Sequence, residues 1–152
     1  MKQKPIILLT LIILLTLSAC TNQKNTQDEN CSDEICFEDT CFKIEIPRTQ
    51  EEMMQGLMHV DYMPDDEGML FIFNEPRAHG FWMKDTLIPL DMIWLDENLN
   101  VVYIATAIPC TSDPCTIYAP NTTALYTLEI NAELADEKNI EIGQKATLNL
   151  CN

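Results

Sequence analysis

The chain has 152 residues and a formal charge of −15, from 24 acidic against 9 basic side chains. So acidic a surface argues against nucleic acid and against electrostatic docking on anionic lipid, and its plainest consequence is solubility. The length allows one ordinary domain once terminal segments are set aside.

Residues 1–19 read as a lipoprotein signal. Lys2 and Lys4 form a short basic region, and Ile6 to Leu17 is an apolar run interrupted only by Thr10 and Thr16. That run is shorter than the ~20 apolar residues a spanning helix takes, and it suits a signal core. Leu17-Ser18-Ala19-Cys20 then looks like a bacterial lipobox, which marks Cys20 for lipidation after cleavage. Acyl chains there would make the membrane a partner, each buried methylene adding ~0.8 kcal/mol. An uncleaved anchor is the alternative and leaves the topology nearly unchanged. Cleavage removes Lys2 and Lys4, taking the formal charge from −15 to −17. Residues 20–35 are read as the lipidated Cys and a tether, because TNQKNTQDEN lacks the apolar side chains that offset the entropy of ordering. The expected location is the cell envelope, outside the cytoplasm.

Of 7 cysteines, all but Cys20 fall in or beside the remaining domain: Cys31, Cys36, Cys41, Cys110, Cys115 and Cys151. An even set in an exported chain reads as disulfides. Thr-Ser-Asp-Pro between Cys110 and Cys115 is turn chemistry that brings that pair together. Cys41 and Cys151 fall in the expected first and last strands and are assigned to one another, leaving Cys31 with Cys36. A thiolate metal site is the weaker reading, since the spacings differ from those of zinc sites and the compartment oxidises thiols. No metal or cofactor is expected.

Residues 36–152 are expected to form a single β-rich domain. Phe42, Ile44 and Ile46 alternate with Cys41, Lys43 and Glu45, which predicts a half-buried strand ended by Pro47. Thr49-Gln50-Glu51-Glu52 fits a capping box, and Met53, Met54, Leu57 and Met58 recur at helical spacing, predicting a short amphipathic helix with the methionines in the core. Strands are then expected at residues 69–73, 80–83, 91–96, 101–108, 124–130 and 145–150, punctuated by Gly, Pro, Asn and Asp. Glu97-Asn98-Leu99-Asn100 reads as a hairpin turn, and residues 131–138 as one more helical turn. The pattern predicts a mainly β fold, a compact β-sandwich or small jelly-roll-like barrel with one or two short helices.

Several motifs occur in order: GLM at 56–58, GMLF at 68–71, FWMKDT at 81–86, PLDMIWLD at 89–96, PC at 109–110, Cys115 with Tyr118, and LEINA at 128–132. Together they resemble the family known as domain of unknown function 192, over roughly Phe42 to Leu150. The resemblance implies a compact, mainly β fold of sandwich or jelly-roll type and no established activity. Three positions depart from that family's pattern. Asp85 stands where Asn is usual, His59-Val60-Asp61 follows GLM where a basic residue is common, and Glu133 stands where Gly often follows the LE-x-NA segment.

Two readings compete for HGFWMKDT at 79–86. In one, Trp82 is an apolar platform and Lys84, Asp85 and Asp91 are polar contacts of a pocket. In the other, which is favoured, Trp82 lies in the core, Lys84 reaches solvent, and Asp85 with Thr86 bonds a turn. His79 and Glu129 complete the candidates; Glu129 should face away from Leu128 and Ile130, to solvent or into a polar cleft. No serine sits in a nucleophile-elbow context. Met53, Met54, Met58 and Met63 with His59 could hold Cu(I), but core packing accounts for them better. The leading expectation is non-catalytic binding of a small polar ligand or an envelope polymer. The rivals are an assembly module, and an enzyme using Lys84, Asp85, Asp91 or His79.

Overall fold

The computed structural model describes residues 31–151. The signal segment, Cys20 and the tether through Asn30 lie outside the described residues. Among the described residues, nine strands and two helices follow in chain order: β1 (Glu34–Phe37), β2 (Thr40–Glu45), α1 (Gln50–Gln55), β3 (Glu67–Arg77), β4 (Phe81–Trp82), β5 (Leu90–Leu95), β6 (Val101–Ala107), β7 (Ile117–Tyr118), β8 (Ala124–Asn131), α2 (Leu134–Glu137) and β9 (Ala146–Asn149).

Seven strands form one mixed sheet in the order β6-β5-β8-β3-β2-β1-β9, and β4 and β7 form a small second sheet. Neighbours run antiparallel except β2 and β3, which are parallel. A parallel pair cannot be joined by a tight hairpin, so the chain between them crosses over a face of the sheet, and that crossover carries α1. At one corner the large sheet meets itself: the Val101 amide donates to the Gln144 carbonyl and the Ala146 amide to Leu99, each at 2.8 Å. The contact stops there, so the fold is sandwich-like and not a closed barrel.

Period-2 alternation gives the sheet two apolar faces. Ile93 and Leu95 of β5 join Phe42, Leu70 and Leu128 in the core enclosed by the folded sheet. Leu90, Met92 and Trp94 point the other way and pack with Phe71, Met83 and Ala107. Thus every residue of β5 is buried, the mark of a strand covered on both sides.

The capping box of α1 forms as expected. Thr49 Oγ1 accepts from the Glu52 amide at 3.2 Å, and Glu52 Oε2 accepts from the amides of Arg48 at 2.7 Å and Thr49 at 2.9 Å. Those backbone donors, Arg48 first, hold the Glu52 carboxyl below its ordinary range. The expected buried methionine face forms only in part: Met53 is half-buried against the core and Leu57 is buried just beyond the helix, but Met54 is 70% exposed.

Two further expectations are corrected. The fold begins before residue 36: β1 pairs with β2 and β9, and the compact unit starts at Cys31. Glu34-Ile35-Cys36-Phe37 alternates too briefly beside a polar stretch to have signalled a strand. The disulfides are Cys31–Cys151, Cys36–Cys41 and Cys110–Cys115. Cys41 does not reach Cys151, because β1 lies between β2 and β9 and places Cys36 directly opposite Cys41. The antiparallel β1–β9 register then brings Cys31, before one strand, beside Cys151, after the other.

Candidate functional site

Glu129 lies in mid-strand on β8, between Leu128 and Ile130, whose side chains enter the enclosed core. Alternation turns Glu129 to the opposite face, where its cross-strand neighbours are Met69 on β3 and Met92 on β5. Two thioether side chains flank the carboxyl, and no hydrogen bond or ion pair reaches it among the described residues. It is 5% exposed, and burial pushes its pKa up to about 8. A carboxyl so placed is uncharged over most of the neutral range. Two residues back on the same face, the buried Thr127 hydroxyl also has no partner.

Above Glu129 opens a cleft of about 250 Å³. One wall comes from α1 and the GLM turn: Met53, Met54, Gly56 and Met58. Gly56 ends the helix with φ of +49°, and a Cβ there would stand 3.3 Å from the Phe71 ring. Glycine therefore serves both the turn and the close approach to the cleft wall. The other wall is aromatic, built from Phe71 and Phe73 of β3 and Phe81 and Trp82 of β4. Phe81 packs edge-on against Phe71 with ring centres 5.0 Å apart and against Trp94 at 6.0 Å. These contacts fix the wall before any ligand arrives.

His79 closes the rim. Its ring stacks on Phe73 at 3.6 Å, and Nε2 donates to the Glu75 carbonyl at 2.9 Å. Donation from Nε2 leaves Nδ1 of the neutral ring without a proton, able to accept. The His79 carbonyl in turn accepts from Trp94 Nε1 at 3.0 Å, tying the segment to the core.

The six candidate residues divide in two. His79, Trp82 and Glu129 meet around the cleft, whereas Lys84, Asp85 and Asp91 do not line it. Trp82, expected in the core on the favoured reading, is 46% exposed. Lys84 is exposed, with Nζ 5.5 Å from the centre of the Trp82 ring. Asp85 is an exposed turn residue whose carbonyl accepts from the His59 amide at 2.8 Å. Asp91, 1% exposed, lies on the opposite face of the sheet from the cleft. There Oδ1 accepts from Thr106 Oγ1 at 2.7 Å and Oδ2 from the Ala135 amide at 2.9 Å, which pins the first turn of α2 to β5. The proposed pocket of Trp82, Lys84, Asp85 and Asp91 is therefore not assembled. The methionines of α1, assigned to the core, are the wall that sequence reasoning missed; their signal was the GLM motif directly after the helix.

The fold and cleft define a small, sandwich-like β domain with a buried carboxyl beneath an apolar site. The chain belongs to the DUF192 family, described as Uncharacterized ACR, whose model matches residues 34–148. A protein of unknown function from Novosphingobium aromaticivorans is similar to it in structure, with 34% identity and a TM-score of 0.68, covering 76% of this chain and 83% of that one. A Sinorhizobium meliloti protein proposed to be a transcription regulator is similar at 27% identity and a TM-score of 0.70, covering 78% of this chain and 94% of its own. No curated protein matches this chain.

Proposed function

We propose that this protein is a lipid-anchored, extracytoplasmic binding protein that takes a small ligand into the cleft above Glu129 without covalent chemistry. The observation that carries the binding reading is the unpartnered, buried Glu129 carboxyl at the base of an apolar-walled cleft. A ligand donor in the cleft would supply the hydrogen bond that the protein does not. Apolar walls with a few placed polar groups are the usual construction of a small-molecule site. The envelope location is supported by the Leu17-Ser18-Ala19-Cys20 segment and by disulfides that use all six other cysteines.

A role in DNA binding, suggested by the Sinorhizobium relative's description, is opposed by the formal charge of −15. An assembly role has one feature in its favour, the exposed cross-strand pair of Trp82 and Ile117 on the small sheet. A thermal-shift screen of the full chain with sugars, cell-wall fragments, nucleotides and small amphipathic molecules separates these readings. A ligand at 100 times its Kd should add ~2.7 kcal/mol of stability, and that gain should shrink in folded Trp82→Ala and Met53→Ala variants. Absence of any shift would move the weight to assembly.

A further inference from the structure

We infer that the cleft is a receptor for organic cations, with an ammonium group set against Glu129 and an apolar body held by the methionine and aromatic walls. This rests on the reading of the cleft as a ligand site. Three observations choose the cation. Glu129 has no donor from the protein, and neither Lys nor Arg lines the cleft, so a cation set against its carboxylate would come from outside. One wall is aromatic, and the negative quadrupole of an aromatic ring attracts an ammonium. Trp82 already shows this behaviour, for the protein's own Lys84 holds Nζ 5.5 Å from its ring centre. An anionic ligand, by contrast, would meet a carboxyl and a strongly acidic chain.

Binding should release a proton. The free cleft holds Glu129 mostly neutral, with a pKa near 8, and an ammonium beside it favours the ionised form. As pH rises toward 8, affinity should therefore climb about tenfold per unit, and it should level off above 8. The groups facing Glu129 leave few competing explanations. Its neighbours on β3 and β5 are Met69 and Met92, and α1 presents Met53, Met54 and Gln55. The segment after β3 contributes His79, the other titratable lining residue, and a protonated His79 would also repel a cation.

The test is calorimetry on the full chain at pH 8 with three probes of similar size: phenethylamine, 2-phenylethanol and 3-phenylpropionate. The amine should bind at least tenfold tighter than the alcohol or the acid. Glu129→Gln should reduce amine binding to the level that the native chain shows for the alcohol, in a variant whose circular-dichroism spectrum matches the native one. The pH slope between 6 and 7.5 should vanish in Glu129→Gln and persist in His79→Asn. Equal binding of amine and alcohol, or an amine preference that survives Glu129→Gln, overturns the cation assignment and leaves the ligand-site reading standing. Failure of all three probes to bind overturns both.

Discussion

Glu133, Asp85 and His59, the three departures from the family's pattern, share a backbone property: their φ angles are 75°, 56° and 64°. Left-handed backbone suits Gly first and Asn next, because a Cβ crowds the following carbonyl there. Asn at 85 and Gly at 133 thus meet a conformational need, and neither marks a binding role. Asp at 85 keeps most of Asn's tolerance, while Glu133 does not keep glycine's. Its exposed side chain makes no capping bond to α2, so Glu133→Gly should raise stability by roughly 0.5–1 kcal/mol after the entropy of the unfolded chain is counted. Urea unfolding with an unchanged slope would register the gain, and a lower midpoint would refute the strain. Glu129 carries the opposite kind of cost. Below its ordinary value of 4.5 it is protonated in both states; between there and about 8 only the unfolded chain releases the proton. Stability should therefore fall as pH rises through that window, by about 1.4 kcal/mol per unit, and stay level above it. Unfolding curves of Glu129→Gln and the native chain should diverge from pH 5 to 8 in favour of the variant. Parallel curves would mean the carboxyl is not buried as described.

At the scale of elements, strands with clear alternation fell where their pattern put them. The EICF strand β1 and the two-residue strand β7 did not announce themselves, because short runs carry too few periods to stand out from their neighbours. Helix α1 shows a different limit. Its capping box was legible as a local signal, since it needs only residues that are adjacent in sequence. The destination of its methionines was not. Helical spacing states that Met53, Leu57 and Met58 lie near one face, but whether that face meets core or open cleft depends on where the β2–β3 crossover sets the helix down. Leu57 is buried while Met54 stands exposed at the rim. The unbranched, polarisable thioethers are suited to a wall that adapts to its occupant.

Over the whole molecule, the two ends of the domain are joined twice: β1 pairs with β9, and Cys31–Cys151 links positions 120 residues apart. Cys36–Cys41 closes a separation of only 5 within the β1–β2 hairpin. On a chain-entropy account the long closure stabilises by about 5 kcal/mol and the short one by about 2. Replacing Cys31 and Cys151 together by Ser should therefore cost more than twice as much as replacing Cys36 and Cys41. Denaturant unfolding of the two double variants would test it, and equal losses would contradict the chain-entropy account. The same sheet order separates the candidate residues, since β5 sends Asp91 to one face and Met92 to the other.

Fold class, capping, the disulfide-rich character and family membership were legible in the sequence because each rests on residue type at short range or on motifs in order. So was the turning of Glu129 away from Leu128 and Ile130, which follows from strand alternation alone, though it meets Met69 and Met92 and not the solvent or polar cleft expected. What lay over that carboxyl was decided only by the tertiary structure. The parallel β2–β3 crossover brings α1, and the chain after β3 brings Phe81 and Trp82, to the same face of the sheet. Residues from 53 to 129 thereby share one cleft, a juxtaposition that no local periodicity encodes.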